Sequence, residues 1–307
     1  MARSIAFLKF KSTLELEIRS FWHLLSALDL SDQEVNKYTS SLITEEPGNN
    51  RYPFKAISIT PQDYVKESSV ISGHVRENSL VSFITTFEAY LFELTERIIY
   101  LNPESISDSE MNMTAGDIIS AVNSNDSKKW ISRKVAEKYL RNKTHAVMIK
   151  KIDKLSKAGT STTRAKDIEE WNKWTLVRNS IVHTTRQVTQ ELSDNWPQKF
   201  PTPGGTFSLI NQDVSRVFSL AINLAESIDK MAVMQVIKKS DALALAREIY
   251  IHYGTSNAGE LRKMISSSGM QLKLTNEDLD KTLSRHKRGE GTDSLKLSST
   301  EIQRLLA

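Results

Sequence analysis

The sequence predicts an all-α protein, and two observations carry that prediction. Glycine and proline are scarce, 11 and 7 in 307 residues, so few positions are forced out of regular structure. Most of the remaining stretches repeat apolar residues three and four apart, the period of a helix with one buried stripe. A chain of this length suits one large or two modest domains and can bury a substantial core. Its hydrophobic content of 39% and charged content of 25% are ordinary for a globular protein. The absence of cysteine excludes disulfides, thiolate metal sites and a cysteine nucleophile, and fits a reducing, cytoplasmic setting. Lys9 and Lys11 interrupt the opening MARSIAFLKFK, which reads as neither a signal peptide nor a membrane span. No apolar run reaches the roughly 20 residues a bilayer needs, so no membrane partner is expected. The net charge of +4 is mild, which makes the distribution of charge more informative than its sum.

Taken in order, Ser4 to Leu28 has helical spacing in Ile5, Leu8, Leu14, Ile18, Phe21 and Leu25. Ser31 and Glu34 form a capping-box pattern that predicts a second, shorter helix ending near Ile43. Glu45 to Tyr52 reads as a loop, and Phe54 to Ile59 alternates weakly enough to suggest a short strand. Thr60 is placed to cap a helix that has Pro61 in its first turn. A long helix from about Val75 to Leu101 follows, with Ile84, Phe87, Leu91, Leu94 and Ile98 as its core stripe and Glu88 beside it. Asn102-Pro103 stops it. A polar stretch with room for one helix runs to Asp126. A basic helix is then expected from Lys128 to Asp153, carrying Lys134, Lys138 and Arg141 against little acid.

Trp171 to Glu191 reads as a helix with Trp174, Val177, Ile181 and Val188 on one stripe. Asn179 and His183, four apart, share a face roughly opposite, and Arg186 and Gln190 extend it. Arg178 lies on the flank, about 140° from His183 by the helical period. Trp171 and Trp174 are expected in a core or an interface. After a Pro- and Gly-rich loop from Trp196 to Gly205, another amphipathic helix is expected from Phe207 to Val236. The helix from Asp241 should end at Gly254. Beyond it, LKLTNEDLDKTL from Leu272 aligns with LKLSSTEIQRLL from Leu295, two copies of a short piece, a cap and a helix. Arg285 to Arg288 (RHKR), between the copies, reads as a turn rather than a phosphate contact.

Three stretches together resemble the HEPN superfamily of helical nucleases and nucleotide-binding domains: LVRNSIVH (Leu176 to His183), FITTFEAYLFELTERII (Phe83 to Ile99) and SLINQDVSRVFSLAINLAESID (Ser208 to Asp229). The resemblance spans about Gly73 to Lys238. It implies a HEPN-like four-helix bundle at 73–238, with a helical N-terminal extension at 1–72 and a small helical C-terminal region at 239–307. A second Arg-x-x-x-x-His pair, Arg247 and His252, lies outside it on a later helix and has Glu248 where the first pair has Asn179.

The resemblance also implies an activity. Active members pair as homodimers around one RNA cleft and cut RNA without metal or cofactor, leaving a 2′,3′-cyclic phosphate. On these positions it makes His183 the proton-transfer group, Arg178 the phosphate binder, Asn179 the residue that orients either, and Glu88 the matching acid. Tyrosine two places after the histidine, the target of nucleotidylation in some toxins, is Thr185 here, so that form of control is not expected. Lys134, Lys138, Arg141 and Arg186 are the candidates for tracking an RNA backbone. The setting implied is a toxin or antiviral defence effector, with an antitoxin or regulatory protein as a further partner. Two other readings stay open. One is a catalytically silent HEPN module for dimerisation and for RNA or protein binding. The other is a helical DNA-binding regulator acting through its C-terminal piece.

Overall fold

The computed structural model describes residues 3–46, 48–49, 51–106, 113–184, 186–270, 273–290 and 295–306. Among these the fold is all-α. The described residues hold thirteen α-helices, three 3₁₀ turns (Ile43–Glu45, Phe54–Ala56 and Pro103–Ser105) and a π-helical segment at Val233–Ile237, and the β pairing is one isolated bridge, Gln187 with Thr206. In chain order the helices are α1 (Ile5–Val35), α2 (Pro61–Leu101), α3 (Ala115–Val122), α4 (Ser127–Leu140), α5 (His145–Ser156), α6 (Thr160–Thr163) and α7 (Ala165–His183). They continue with α8 (Gln190–Asn195), α9 (Asn211–Ala232), α10 (Ser240–Tyr253), α11 (Ala258–Ser267), α12 (Asn276–Lys287) and α13 (Ser299–Leu306). Among the described residues no helix is long and apolar enough to cross a membrane.

Several boundaries differ from the sequence expectation. Ser31 and Glu34 do not start a new helix, because α1 runs unbroken through them to Val35. Their side chains serve elsewhere: Ser31 Oγ lies 2.7 Å from the Tyr64 hydroxyl, and Glu34 pairs with Lys37. Phe54 to Ile59 holds a 3₁₀ turn at Phe54–Ala56, not a strand. Thr60 caps α2 as expected, its Oγ1 accepting the Asp63 N–H at 3.1 Å, but α2 then continues without a break to Leu101. The basic helix is two helices. Asn142 takes a left-handed φ of 57°, and Thr144 caps the new start at His145. Arg285, His286 and Lys287 form the last turn of α12 instead of a free turn. Leu272, which opens the first repeat copy, lies outside the described residues.

The chain divides into two compact units, one of Met1–Thr13, Thr86–Asn172 and Ala221–Ala307, the other of Leu14–Thr85 and Lys173–Leu220. Each is assembled from separated stretches, so neither follows the sequential segments 1–72, 73–238 and 239–307.

In the first unit Phe10, Phe87, Tyr90 and Trp171 are buried together, with Phe87 and Trp171 ring centroids 4.6 Å apart. The C-terminal helices pack on their own apolar faces. Leu245, Ile249, Leu261, Leu279 and Ile302 form one cluster, which Ile5 completes. Two buried carboxylates hold the start of α1 in this unit. Asp229 accepts from the Ser4 backbone N–H (3.1 Å) and hydroxyl, and Asp241 accepts from the Ile5 N–H at 2.9 Å. These bonds satisfy amides that the first helical turn leaves unpaired.

Burial, opposed by the Ser4 donors and Arg3, pushes the Asp229 carboxyl up from 3.8 to about 7. In that interval the folded state holds a proton that the unfolded state has released, so stability falls as pH rises from about 4 to about 7. Asp229→Asn keeps the shape without the ionisation. Urea unfolding between pH 4 and 8 is expected to show a shallower decline in this variant than in the wild type. The difference should be a few kcal/mol at most, since each pKa unit is worth about 1.4 kcal/mol. Parallel profiles for the two proteins would remove Asp229 as the source.

The second unit buries Leu14, Phe21, Leu80, Phe83, Trp174, Val177 and Val217. Trp174, Trp196, Phe200 and Phe207 follow one another edge to face, with centroid separations of 4.7, 5.8 and 5.4 Å. Lys199, paired with Asp213 at 2.6 Å, lies over the Trp174, Trp196 and Phe200 rings. That arrangement fixes the loop facing the end of α7.

Candidate active site

The residues singled out on α7 lie in the second unit, on the end of the helix furthest along the chain. Trp174, Val177 and Ile181 of the expected stripe are buried on α7, which fixes the helix rotation and leaves Asn179 and His183 exposed; Val188 is also buried but lies beyond the helix end. Arg178 is partly covered. Its Nη1 donates to Asn179 Oδ1 at 3.1 Å, while its Nε is buried and has no hydrogen-bond partner among the described residues. Asn179 therefore orients the guanidinium. No hydrogen bond joins Arg178 to His183 among the described residues.

The helix does not run on to Glu191. It ends at His183, so Arg186 and Gln190 do not extend its polar face. Thr184 turns the chain, its hydroxyl lying 2.6 Å from the Ser180 carbonyl and 2.8 Å from the Gln187 carbonyl and donating its one proton to either. Arg186 takes a left-handed φ of 61°. The strand-like pairing of Val188 with Gly204 and Gly205 (2.8 and 2.9 Å) then anchors the new direction before α8 begins. Thr185, the position that bears on nucleotidylation, lies outside the described residues. His183 is thereby the last helical residue, exposed, and without a hydrogen-bond or ion-pair partner among the described residues.

The remaining candidates have specific neighbours. Arg186 pairs with Glu77, itself 7% exposed. Lys138 and Lys134 both face Asp117, at 2.7 and 3.7 Å, and the Lys138 bond together with the Thr114 backbone N–H holds the Asp117 carboxyl far below its ordinary range. Arg141, exposed at the end of α4, donates its backbone N–H to Glu137. Glu88 belongs to the first unit, where its carboxylate lies 3.7 Å from His145 Nε2. The Trp171 indole donates to His145 Nδ1 at 2.7 Å, which places the imidazole proton on Nε2, toward Glu88.

Sequence reasoning missed Glu77, His145 and Asp117 as partners. Each lies far along the chain from the residue it meets, and only tertiary packing brings them together. In the second Arg–His pair Arg247 is buried, and His252, though exposed, is engaged, its Nε2 lying 2.8 Å from the Leu297 carbonyl. Comparison with protein-family models, curated proteins and solved structures finds no match for this chain.

Proposed function

We propose that this chain is a metal-independent endoribonuclease of the HEPN type. The observation that carries the reading is the placement of three residues on the last two turns of α7, Asn179 and His183 opposite a buried stripe and Arg178 on its flank. A rigid frame thus presents a fixed cation and an imidazole to whatever approaches. Attack of an RNA 2′-hydroxyl on its neighbouring phosphate needs a base for that hydroxyl, an acid for the departing 5′-oxygen and positive charge on the pentavalent phosphate. Imidazole performs either proton transfer near neutral pH, and guanidinium donors match phosphate oxygens. The products are a 2′,3′-cyclic phosphate and a free 5′-hydroxyl.

One histidine cannot act as base and acid in the same turnover. A homodimer with a composite site supplies the second, which gives a two-fold pair a chemical role. Within this reading RNA is the substrate, and a toxin or antiviral defence effector is the biological role. An antitoxin or regulatory protein is then the partner that restrains it.

The experiment is incubation of total RNA with purified protein in EDTA, wild type beside His183→Ala, with the new 3′ ends analysed for cyclic phosphate. Cleavage by the wild type, lost in the variant with melting unchanged, is the expected result, with a rate drop of about 10²–10⁴ for a lost general acid or base. Equal cleavage by both proteins would move the site off α7. A wild type that binds RNA without cutting it would favour the silent binding module.

A further inference from the structure

The first unit contains a cavity of about 410 Å³, within the roughly 300–1,000 Å³ usual for small-ligand sites. Its lining carries three fixed cations, Lys128 from α4, Arg247 from α10 and Arg285 from the last turn of α12, with His286 beside them. Glu290 is the one acid among the described lining residues, and it is committed to Arg288 by two bonds, at 3.0 and 3.1 Å. Three acids on or next to the contributing helices also have partners. Asp241 faces Arg97, Asp278 pairs with Lys239 at 2.7 Å, and Glu248 accepts the Leu295 and Lys296 amides at 2.9 and 3.1 Å.

Lys128 and Arg285 are exposed, and neither has an acidic partner among the described residues. Lys128 rests over the Tyr100 ring at 4.3 Å, so its ammonium is held at the cavity wall. The His286 ring is fixed edge to face against Tyr250, with centroids 5.8 Å apart. Lys128, Arg247 and Arg285, brought from three helices to one concavity where Glu290 is the one acid among the described lining residues, make a field that favours anions of high charge. Leu101 and Leu243 add apolar surface to the same cavity.

We propose that this cavity binds a small ligand carrying two or more phosphates, of the nucleoside di- or triphosphate class. Lys128 and Arg285 contact the phosphates, and Leu101 and Leu243 cover the nucleoside. The proposal goes beyond the ribonuclease reading and uses none of its residues.

Titration calorimetry of the full chain with ATP and, separately, with pyrophosphate tests it, beside the double variant Lys128→Ala/Arg285→Ala. Both residues are exposed, so the variant should melt as the wild type does. Expected are binding of ATP in preference to pyrophosphate and a loss of about tenfold or more in the variant, the scale of one charge-assisted contact. Three results would overturn the proposal: no heat from wild type with ATP at about 1 mM, equal ATP binding by wild type and variant, or pyrophosphate bound as tightly as ATP. A 5′-phosphorylated RNA oligonucleotide that binds through Lys128 and Arg285 where ATP does not would also overturn it, in favour of a nucleic-acid contact. Calorimetry reads binding alone, so the outcome is independent of whether α7 cleaves RNA.

Discussion

Asp241→Ala is expected to lower the unfolding free energy by about 3–5 kcal/mol, the scale seen when one partner of a buried ion pair is removed. The carboxylate is 1% exposed and serves two elements of the first unit at once: it accepts the Ile5 amide at the start of α1 and faces the Arg97 guanidinium on α2. Removing it takes the counter-charge from an arginine whose side chain is only 10% exposed, and strips a cap from a helix start. Asp241→Asn keeps a carbonyl for the Ile5 amide and should cost less than alanine, because only the charge is lost. Urea denaturation of the two variants gives both numbers. An alanine variant within about 1 kcal/mol of wild type would show that water reaches Arg97 and that the pair behaves as a surface one.

Arg178→Ala is expected to slow RNA cleavage by about 10²–10³, the scale of one lost donor to a developing phosphate charge. Arg178→Lys should recover little of it. A lysine ammonium cannot both accept orientation from the Asn179 side chain and present a planar pair of donors, as the guanidinium does. Single-turnover cleavage of a defined RNA under the proposed chemistry measures the ratio, with thermal melting as the control for folding. Lysine activity equal to arginine would reduce the role of Arg178 to bulk positive charge. Alanine activity equal to wild type would remove it from the site.

The sequence made the buried faces legible because periodicity records them directly. Trp174, Val177 and Ile181 are buried on α7, as are Ile84, Phe87, Leu91, Leu94 and Ile98 on α2, whereas Val188 is buried off the helix for another reason. The stop at Asn102-Pro103 and the cap at Thr60 were legible for a similar reason, since each follows from the chemistry of one or two residues. The end of α7 was not. Nothing in Thr184 to Gln190 breaks a helix by composition, and the chain turns because Val188 pairs with the distant Gly204 and Gly205. The same holds for α1, where a local capping pattern at Ser31 and Glu34 yields to a helix whose side chains find other partners. Charge was misread for a related reason. The basic run holds only Glu137 and Asp153 against its lysines and arginines along the chain, yet Asp117 arrives from α3 to meet Lys134 and Lys138.

The discontinuous make-up of the two units bears on the order in which a ribosome can deliver them. The unit built from Leu14–Thr85 and Lys173–Leu220 has all its residues once position 220 has emerged, whereas the other still waits for Ala221–Ala307. Contacts that close over such long separations are slow to form, because loop entropy is lost before packing compensates. The nascent chain therefore carries α2 to α6 with unfinished apolar faces through a long interval of synthesis, when chaperones are most needed. The Arg178–His183 helix end belongs to the unit that can close first, so one protomer's share of the proposed site can be placed while α10 and α12 of the cavity are still being translated.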